Sequence, residues 1–265
     1  MILLTNGDSW TQGDSPSQTL NWEAEKTLDW YDIIPNFGDS TNRCDQRILY
    51  KFYDSPVWPK VLGEKLEVET WNCGRLGASN GRIFRTTINS IDYLESLGKT
   101  DLFVVIGLTS MIRWEKFKYS KKGNTFLWTN DRIGKAEKGD IVEYYPERTY
   151  NEVVKDNIQT IINMQNYLKM KKIPYLIFNA FDEVDKDFKT STSLKYIDLN
   201  NFYNNNLGAH FKGHIKDNYN LDKNPDVYFI GSHPTDKSHI IWGEHLYEYV
   251  EKNQSYKMKR KYDNG

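Results

Sequence analysis

Short runs that read as strands occur at positions 1–4, 67–71, 102–108 and 173–178, with a weaker one at 227–230. Short, largely apolar runs of this length read as buried strands. The stretches between them change to helical spacing. Trp58, Val61, Leu62 and Leu66 share one face, with Pro56 and Pro59 near its start. Ile83, Phe84, Ile88, Ile91, Leu94 and Leu97 make a second helical face, stopped by Gly98. Val153, Val154, Ile158, Ile161, Ile162 and Leu168 make a third, and a fourth helix starts near Thr235 with Ile240, Ile241 and Leu246 turned inward. Strand and helix therefore alternate, which predicts an α/β fold with a parallel sheet, right-handed crossovers and helices on both faces. In such a fold the segments after the strands, near Ser9 and at 73–81, 109–113 and 179–182, converge at the C-terminal edge of the sheet, where ligands bind.

Three polar, turn-rich segments interrupt the alternation, at about 11–55, 112–147 and 181–225. Loops of this length inside a domain are usually functional or carry structure of their own. The 265 residues are read as one domain over 1–252 with these insertions, followed by a basic polar tail at 253–265. The tail holds Lys257, Lys259, Arg260 and Lys261 and reads as solvated. Lys and Arg number 35 against 36 Asp and Glu, so no overall field draws the chain to nucleic acid or to an anionic membrane. Cys44 and Cys73 are too few for a disulfide framework. The first residues lack the pattern of a secretory signal, and no apolar stretch approaches a membrane span. The expectation is a protein cytoplasmic as synthesised; the sequence does not address association with a virus particle.

Chemistry enters with Gly7-Asp8-Ser9. The tripeptide recurs at Gly13-Asp14-Ser15 and Gly38-Asp39-Ser40, but only the first copy follows a strand. Three further blocks accompany it: Asn72-Cys73-Gly74-Arg75-Leu76-Gly77-Ala78-Ser79-Asn80, Gly107-Leu108-Thr109-Ser110, and Ser232-His233-Pro234-Thr235-Asp236. Together they resemble the SGNH (GDSL-like) hydrolase family over nearly the whole chain. The resemblance implies a three-layer α/β/α, flavodoxin-like fold around a mainly parallel five-stranded sheet, with Ser9 as nucleophile and His233 as its general base. It also implies an oxyanion hole made by the backbone N–H of Ser9, the N–H of Gly77 and a donor at position 109. Glycine suits such a hole because its amide meets the substrate with no side chain in the way. Gly74 is a rival for the same role.

Two positions depart from the family pattern. Thr109 stands where an asparagine is usual, and its hydroxyl has one proton to donate. Ile230 stands three residues before His233, where an aspartate usually orients the ring. Asp226 and Asp236 are the remaining carboxylates near the histidine. Asp236 has an ordinary use in a first helical turn. His239 forms an Asp-x-x-His spacing with Asp236 but falls inside the helix, where it reads as a packing residue. A dyad held by a backbone carbonyl, an acid from elsewhere and weak activity all remain open.

His210 and His214 have i, i+4 spacing, but Gly213 lies between them and no acidic third ligand is near, so no metal site is assigned. Asp182, Glu183, Asp185 and Asp187 read as a solvated loop. Trp114 and Trp128, within 112–147, are candidates to line a sugar-binding cleft. The resulting expectation is a serine ester hydrolase that needs no cofactor and removes a small acyl group from a carbohydrate or another small ester. Selectivity would be set by the 112–147 insertion. The competing reading is a weakened member of the same fold that binds a glycan or a protein.

Overall fold

The computed structural model describes residues 1–13, 56–75, 77–111, 113–120, 125–132, 150–181, 192–219, 225–230 and 233–253, with backbone alone for 115–120, 125–132 and 150. Strand β1 (Ile2–Asn6) leads into the one-turn helix α1 (Ser9–Gln12). Then come α2 (Trp58–Leu66), β2 (Glu69–Asn72), α3 (Asn80–Ser96) and β3 (Leu102–Leu108). A hairpin of β4 (Arg113–Ser120) and β5 (Thr125–Arg132) precedes α4 (Tyr150–Met170) and β6 (Tyr175–Asn179). After short 3-10 turns between Thr192 and Asn205 the chain forms α5 (Phe211–Tyr219) and the single turn α6 (Pro225–Tyr228). It continues through β7 (Phe229–Ile230) and β8 (His233–Pro234) into α7 (Asp236–Lys252).

The sheet runs in the order β2-β1-β3-β6, all parallel, with Thr5 opposite Asn72 and Val105, and Leu108 opposite Asn179. Because side chains alternate across a strand, Ile2, Leu4, Val104, Ile106 and Ile177 point to one face. There they meet Ile83, Ile91 and Leu94 of α3 and Val154, Ile158, Ile161 and Leu168 of α4. Leu3, Phe103, Val105, Leu176 and Phe178 point to the other face, against Trp58 and Leu62 of α2 and Trp242 and Leu246 of α7. The three-layer parallel α/β arrangement is therefore as expected.

The strand count differs. Among the described residues the parallel sheet has four strands, and the fifth apolar run does not join it. Residues Phe229 and Ile230 pair antiparallel with Pro234 and His233 instead. Two residues suffice for a tight return but not for a further sheet strand, and Val227 is exposed. Two inward assignments also change. Leu97 is 50% exposed because it is the cap residue of α3, beyond its last turn. Ile240 is 38% exposed. A helix turns about 100° per residue, so once His239, Trp242, Gly243 and Leu246 take the buried side, Ile240 lies a quarter-turn off it.

Cys73 is a buried free thiol with Sγ 3.3 Å from Ser90 Oγ. Among the described residues no helix is long and apolar enough to cross a membrane. Most of the 11–55 insertion, Cys44, the second and third Gly-Asp-Ser copies beyond Gly13, the acidic group at 182–187, Ser232 and the tail after Asn253 lie outside the described residues.

Candidate active site

Strand β1 ends in a buried turn held in place by hydrogen bonds and aromatic packing. Asn6 Nδ2 donates to Ile83 O at 3.0 Å and to the hydroxyls of Thr86 and Thr87 at 2.9 Å, fixing the strand end to α3. Asp8 caps α1 by accepting from Trp10 N at 3.0 Å. Ser9 is the first residue of α1 and is 2% exposed. The next residue, Trp10, anchors the turn among Phe181, Phe211 and Phe229, with ring centroids 4.6, 5.5 and 5.3 Å away.

The histidine arrives from the other end of the chain. In β8, His233 places Nε2 3.2 Å from Ser9 Oγ, across 224 positions of sequence. Its approach is fixed by the start of α7. Thr235 N donates to Tyr228 O at 2.8 Å, Thr235 Oγ1 to Val227 O at 2.7 Å, and Ser238 Oγ to Tyr228 O at 2.7 Å. Thr235, not His233, is the cap residue, so Pro234 precedes the helix rather than opening it.

Neither candidate acid reaches the ring: Asp226 and Asp236 form no hydrogen bond or ion pair with His233. Asp226 is exposed on the single turn α6. Asp236 sits in the first turn of α7 with Oδ1 buried and without a partner among the described residues, and burial pushes its carboxyl up. His239 is fully buried, and its Nδ1 accepts from Trp58 N at 3.4 Å, so it packs α7 against α2.

Burial, aided by the nearby His233, lowers the His239 imidazole to about 3 from its ordinary 6.5. A base whose folded value is depressed gives stability that is complete above the unfolded value and is lost as pH falls. Below pH 6.5 the unfolded chain takes up a proton that the folded chain refuses, costing up to about 1.4 kcal/mol per pH unit until the folded value is reached. Urea midpoints are expected to drop between pH 7 and pH 4, and His239→Gln is expected to flatten that slope. Equal slopes would remove His239 from the pH response.

The glycine loop is bound to the nucleophile turn. Cys73 N donates to Thr5 O at 2.7 Å, Arg75 N to Gly7 O at 3.0 Å, and Asn72 Nδ2 to Thr11 O at 2.7 Å. The two rival glycines have different work. Gly74 spends its amide on Asn72 Oδ1 at 2.9 Å, and a Cβ there would lie 2.5 Å from the Gln12 backbone nitrogen. Gly74 is thus a packing glycine. Gly77 has φ +72 and only open space within 4 Å of where a Cβ would stand. Its N–H and that of Ser9 donate to no group among the described residues.

Thr109 has its hydroxyl engaged within the protein. Its only hydroxyl proton goes to Asp8 Oδ2 at 2.9 Å, and its oxygen accepts from Arg113 Nη1 at 2.9 Å. Arg113 Nη1 also lies 3.2 Å from Asp8 Oδ2 and 3.4 Å from Ala78 O. Burial pushes the Asp8 carboxyl up, against the pull of Arg113, the Thr109 hydroxyl, the Trp10 N–H and His233. Asn80 is fully engaged in structure, bonding Thr109 O and N at 3.2 and 3.0 Å and Asn157 Oδ1 at 3.0 Å.

Asp8 and Arg113 had no assigned role in the sequence reading. The signal for Arg113 was its place five residues past Leu108, the end of the third strand; nothing local announced its pairing 105 positions back. Of the tryptophan pair, Trp114 is half-buried and the Trp128 side chain lies outside the description. The His210–His214 pair is used in packing: His210 Nδ1 accepts from Gly213 N at 2.9 Å, and the His214 ring stacks 3.8 Å from His245.

The site thus lies at the C-terminal edge of a parallel α/β sheet and joins a serine, a histidine and a buried ion pair. Residues 40–261 match DUF6071, a family of unknown function, and the chain belongs to that family. No curated protein matches its sequence. Among solved structures it is similar to a protein from Desulfitobacterium hafniense DCB-2 described as a lipolytic member of the G-D-S-L family, at TM-score 0.37 and 11% identity over 93% of this chain and 98% of that one. It is similar too to a carbohydrate esterase whose active site displays divergent catalytic and non-catalytic binding functions, at TM-score 0.43 and 11% identity, covering 96% and 69%. A third is the acetyl xylan esterase AlAXEase, at TM-score 0.38 and 12% identity, covering 94% and 100%. Likenesses this distant carry no activity over to this chain.

Proposed function

We propose that the protein is a serine ester hydrolase that removes a small acyl group from a carbohydrate or another small ester. The observation that carries this reading is the 3.2 Å contact between Ser9 Oγ and His233 Nε2 at the strand-end edge. His233 Nε2 takes the hydroxyl proton as Ser9 Oγ attacks the ester carbonyl carbon. That requires the neutral ring to carry its proton on Nδ1, an assignment made from the contact. The tetrahedral oxyanion rests on the N–H groups of Ser9 and Gly77. His233 then gives the proton to the leaving alcohol oxygen as the C–O bond breaks. Water adds to the acyl-serine and loses a proton to Nε2, and Ser9 Oγ leaves and recovers that proton as the carboxylic acid departs.

The nature of the substrate follows from the SGNH resemblance of the sequence blocks, and the β4–β5 hairpin, which begins at Arg113, is the element proposed to set selectivity. A second reading, a binding module on a weakened hydrolase fold, is favoured by one feature. Thr109 has given its proton to Asp8, leaving two backbone donors for the oxyanion; a missing donor typically costs about 2.7–4 kcal/mol of transition-state stabilisation. Incubation with p-nitrophenyl acetate and with a fluorophosphonate separates the readings. The hydrolase turns over the ester, and the phosphonate blocks turnover while adding its mass to the Ser9 peptide. No turnover and no adduct would leave the binding module.

A further inference from the structure

We infer that Arg113 is a specificity residue that reads a carboxylate on the molecule carrying the ester. The inference rests on the hydrolase reading of the same site. Arg113 opens β4, and one corner of its guanidinium, Nη1, is fixed by three segments that build the site. These are Asp8 beside the nucleophile, Ala78 beside Gly77, and Thr109 at the end of β3. The guanidinium carbon Cζ lies over Phe181, 5.2 Å from the ring centroid. The position of the group is therefore set before any ligand arrives, which lowers the ordering cost of binding.

The other edge of the group, Nε and Nη2, has no partner among the described residues, and the side chain keeps 21% of its surface exposed. Two parallel N–H donors in a planar fork match the two oxygens of a carboxylate. The oxyanion of the reaction is a single oxygen already served by the Ser9 and Gly77 amides, so the fork is left for a different part of the substrate. Asp8 cancels most of the charge of Arg113 at a distance, so recognition works through hydrogen-bond geometry at contact rather than through long-range attraction. A small ester of an acidic sugar has the required chemistry.

The test uses the full chain carrying Ser9→Ala, so that bound ester survives, and three calorimetric ligands: a monoacetylated methyl glucuronoside, its carboxyl methyl ester, and a monoacetylated methyl glucoside. The free acid is expected to bind about ten-fold more tightly than the other two, the return of one charge-assisted forked contact. Adding Arg113→Gln, or Arg113→Lys, which keeps the charge and loses the fork, is expected to erase most of that preference. Equal binding of the three ligands overturns the inference, as does a preference that survives Arg113→Gln, or displacement of the acid by inorganic phosphate at equal concentration. If the arginine variants do not fold, the comparison of acid with methyl ester decides alone. Failure of the hydrolase reading shows separately, as absent turnover in the unsubstituted protein.

Discussion

Ser9→Ala and His233→Ala are each expected to lower kcat/KM for p-nitrophenyl acetate by on the order of 10⁴–10⁶, and the double variant by little more than either alone. The loss is large because neither group works without the other. Ser9 without a base holds its proton at neutral pH, and the imidazole without Oγ has no nucleophile to activate. Equality of the single and double variants is the informative result, since independent contributions would multiply. The backbone donors remain in all three proteins, because the amides of Ser9 and Gly77 do not depend on either side chain. A residual rate above that in buffer is therefore expected throughout. Full activity in His233→Ala would show that another group takes the serine proton.

Trp242→Ala is expected to cost about 3–5 kcal/mol of folding stability, read from the urea midpoint at constant slope. The indole is fully buried at the centre of the α2–α7 side of the sheet. Phe178, Tyr203 and Phe211 surround it with ring centroids 5.1, 5.1 and 5.0 Å away, the last stacked at 11°. Rings this tightly interlocked cannot close over the space an alanine would leave. Against a typical domain stability of about 5–15 kcal/mol, such a loss is a large share of the total. Trp242→Phe is expected to cost much less. It keeps a ring against Phe211, and the indole N–H it removes is buried with no acceptor among the described residues. A cost for Trp242→Phe as large as for Trp242→Ala would show that the N–H has a partner after all.

What the sequence made legible was what repeats along it. Runs such as 102–108 and the helical spacing of Val153, Ile158 and Ile161 are local, so β3 and α4 stand where they were expected. The juxtaposition of Ser9 and His233 was legible because each sits in a short block with its own neighbours. The run at 227–230 misled because apolar character does not distinguish a sheet strand from a two-residue return. The β4–β5 hairpin was missed because charge and aromatic residues share its strands, although Gly123-Asn124 between them is a turn signal. The hydrogen bond from Thr109 to Asp8 was not legible, because the two residues lie 101 positions apart and no local pattern records the contact. Arg113 belongs to the same class. Its meaning lies in which buried charge it meets.

The contact between Ser9 and His233 joins the first strand to the approach of the last helix, and this has a consequence for synthesis. As the chain leaves the ribosome, the turn that holds Ser9 is made first, but the histidine cannot be seated until α7 has docked through Thr235 and Ser238 on the Val227 and Tyr228 carbonyls. Closing a loop this long comes late because its entropy is lost before its contacts are gained. A nascent or truncated chain therefore carries Ser9 without His233 beside it. If Ser9 and His233 act as proposed, reactivity comes only with completion of the fold, and an unfinished copy has none.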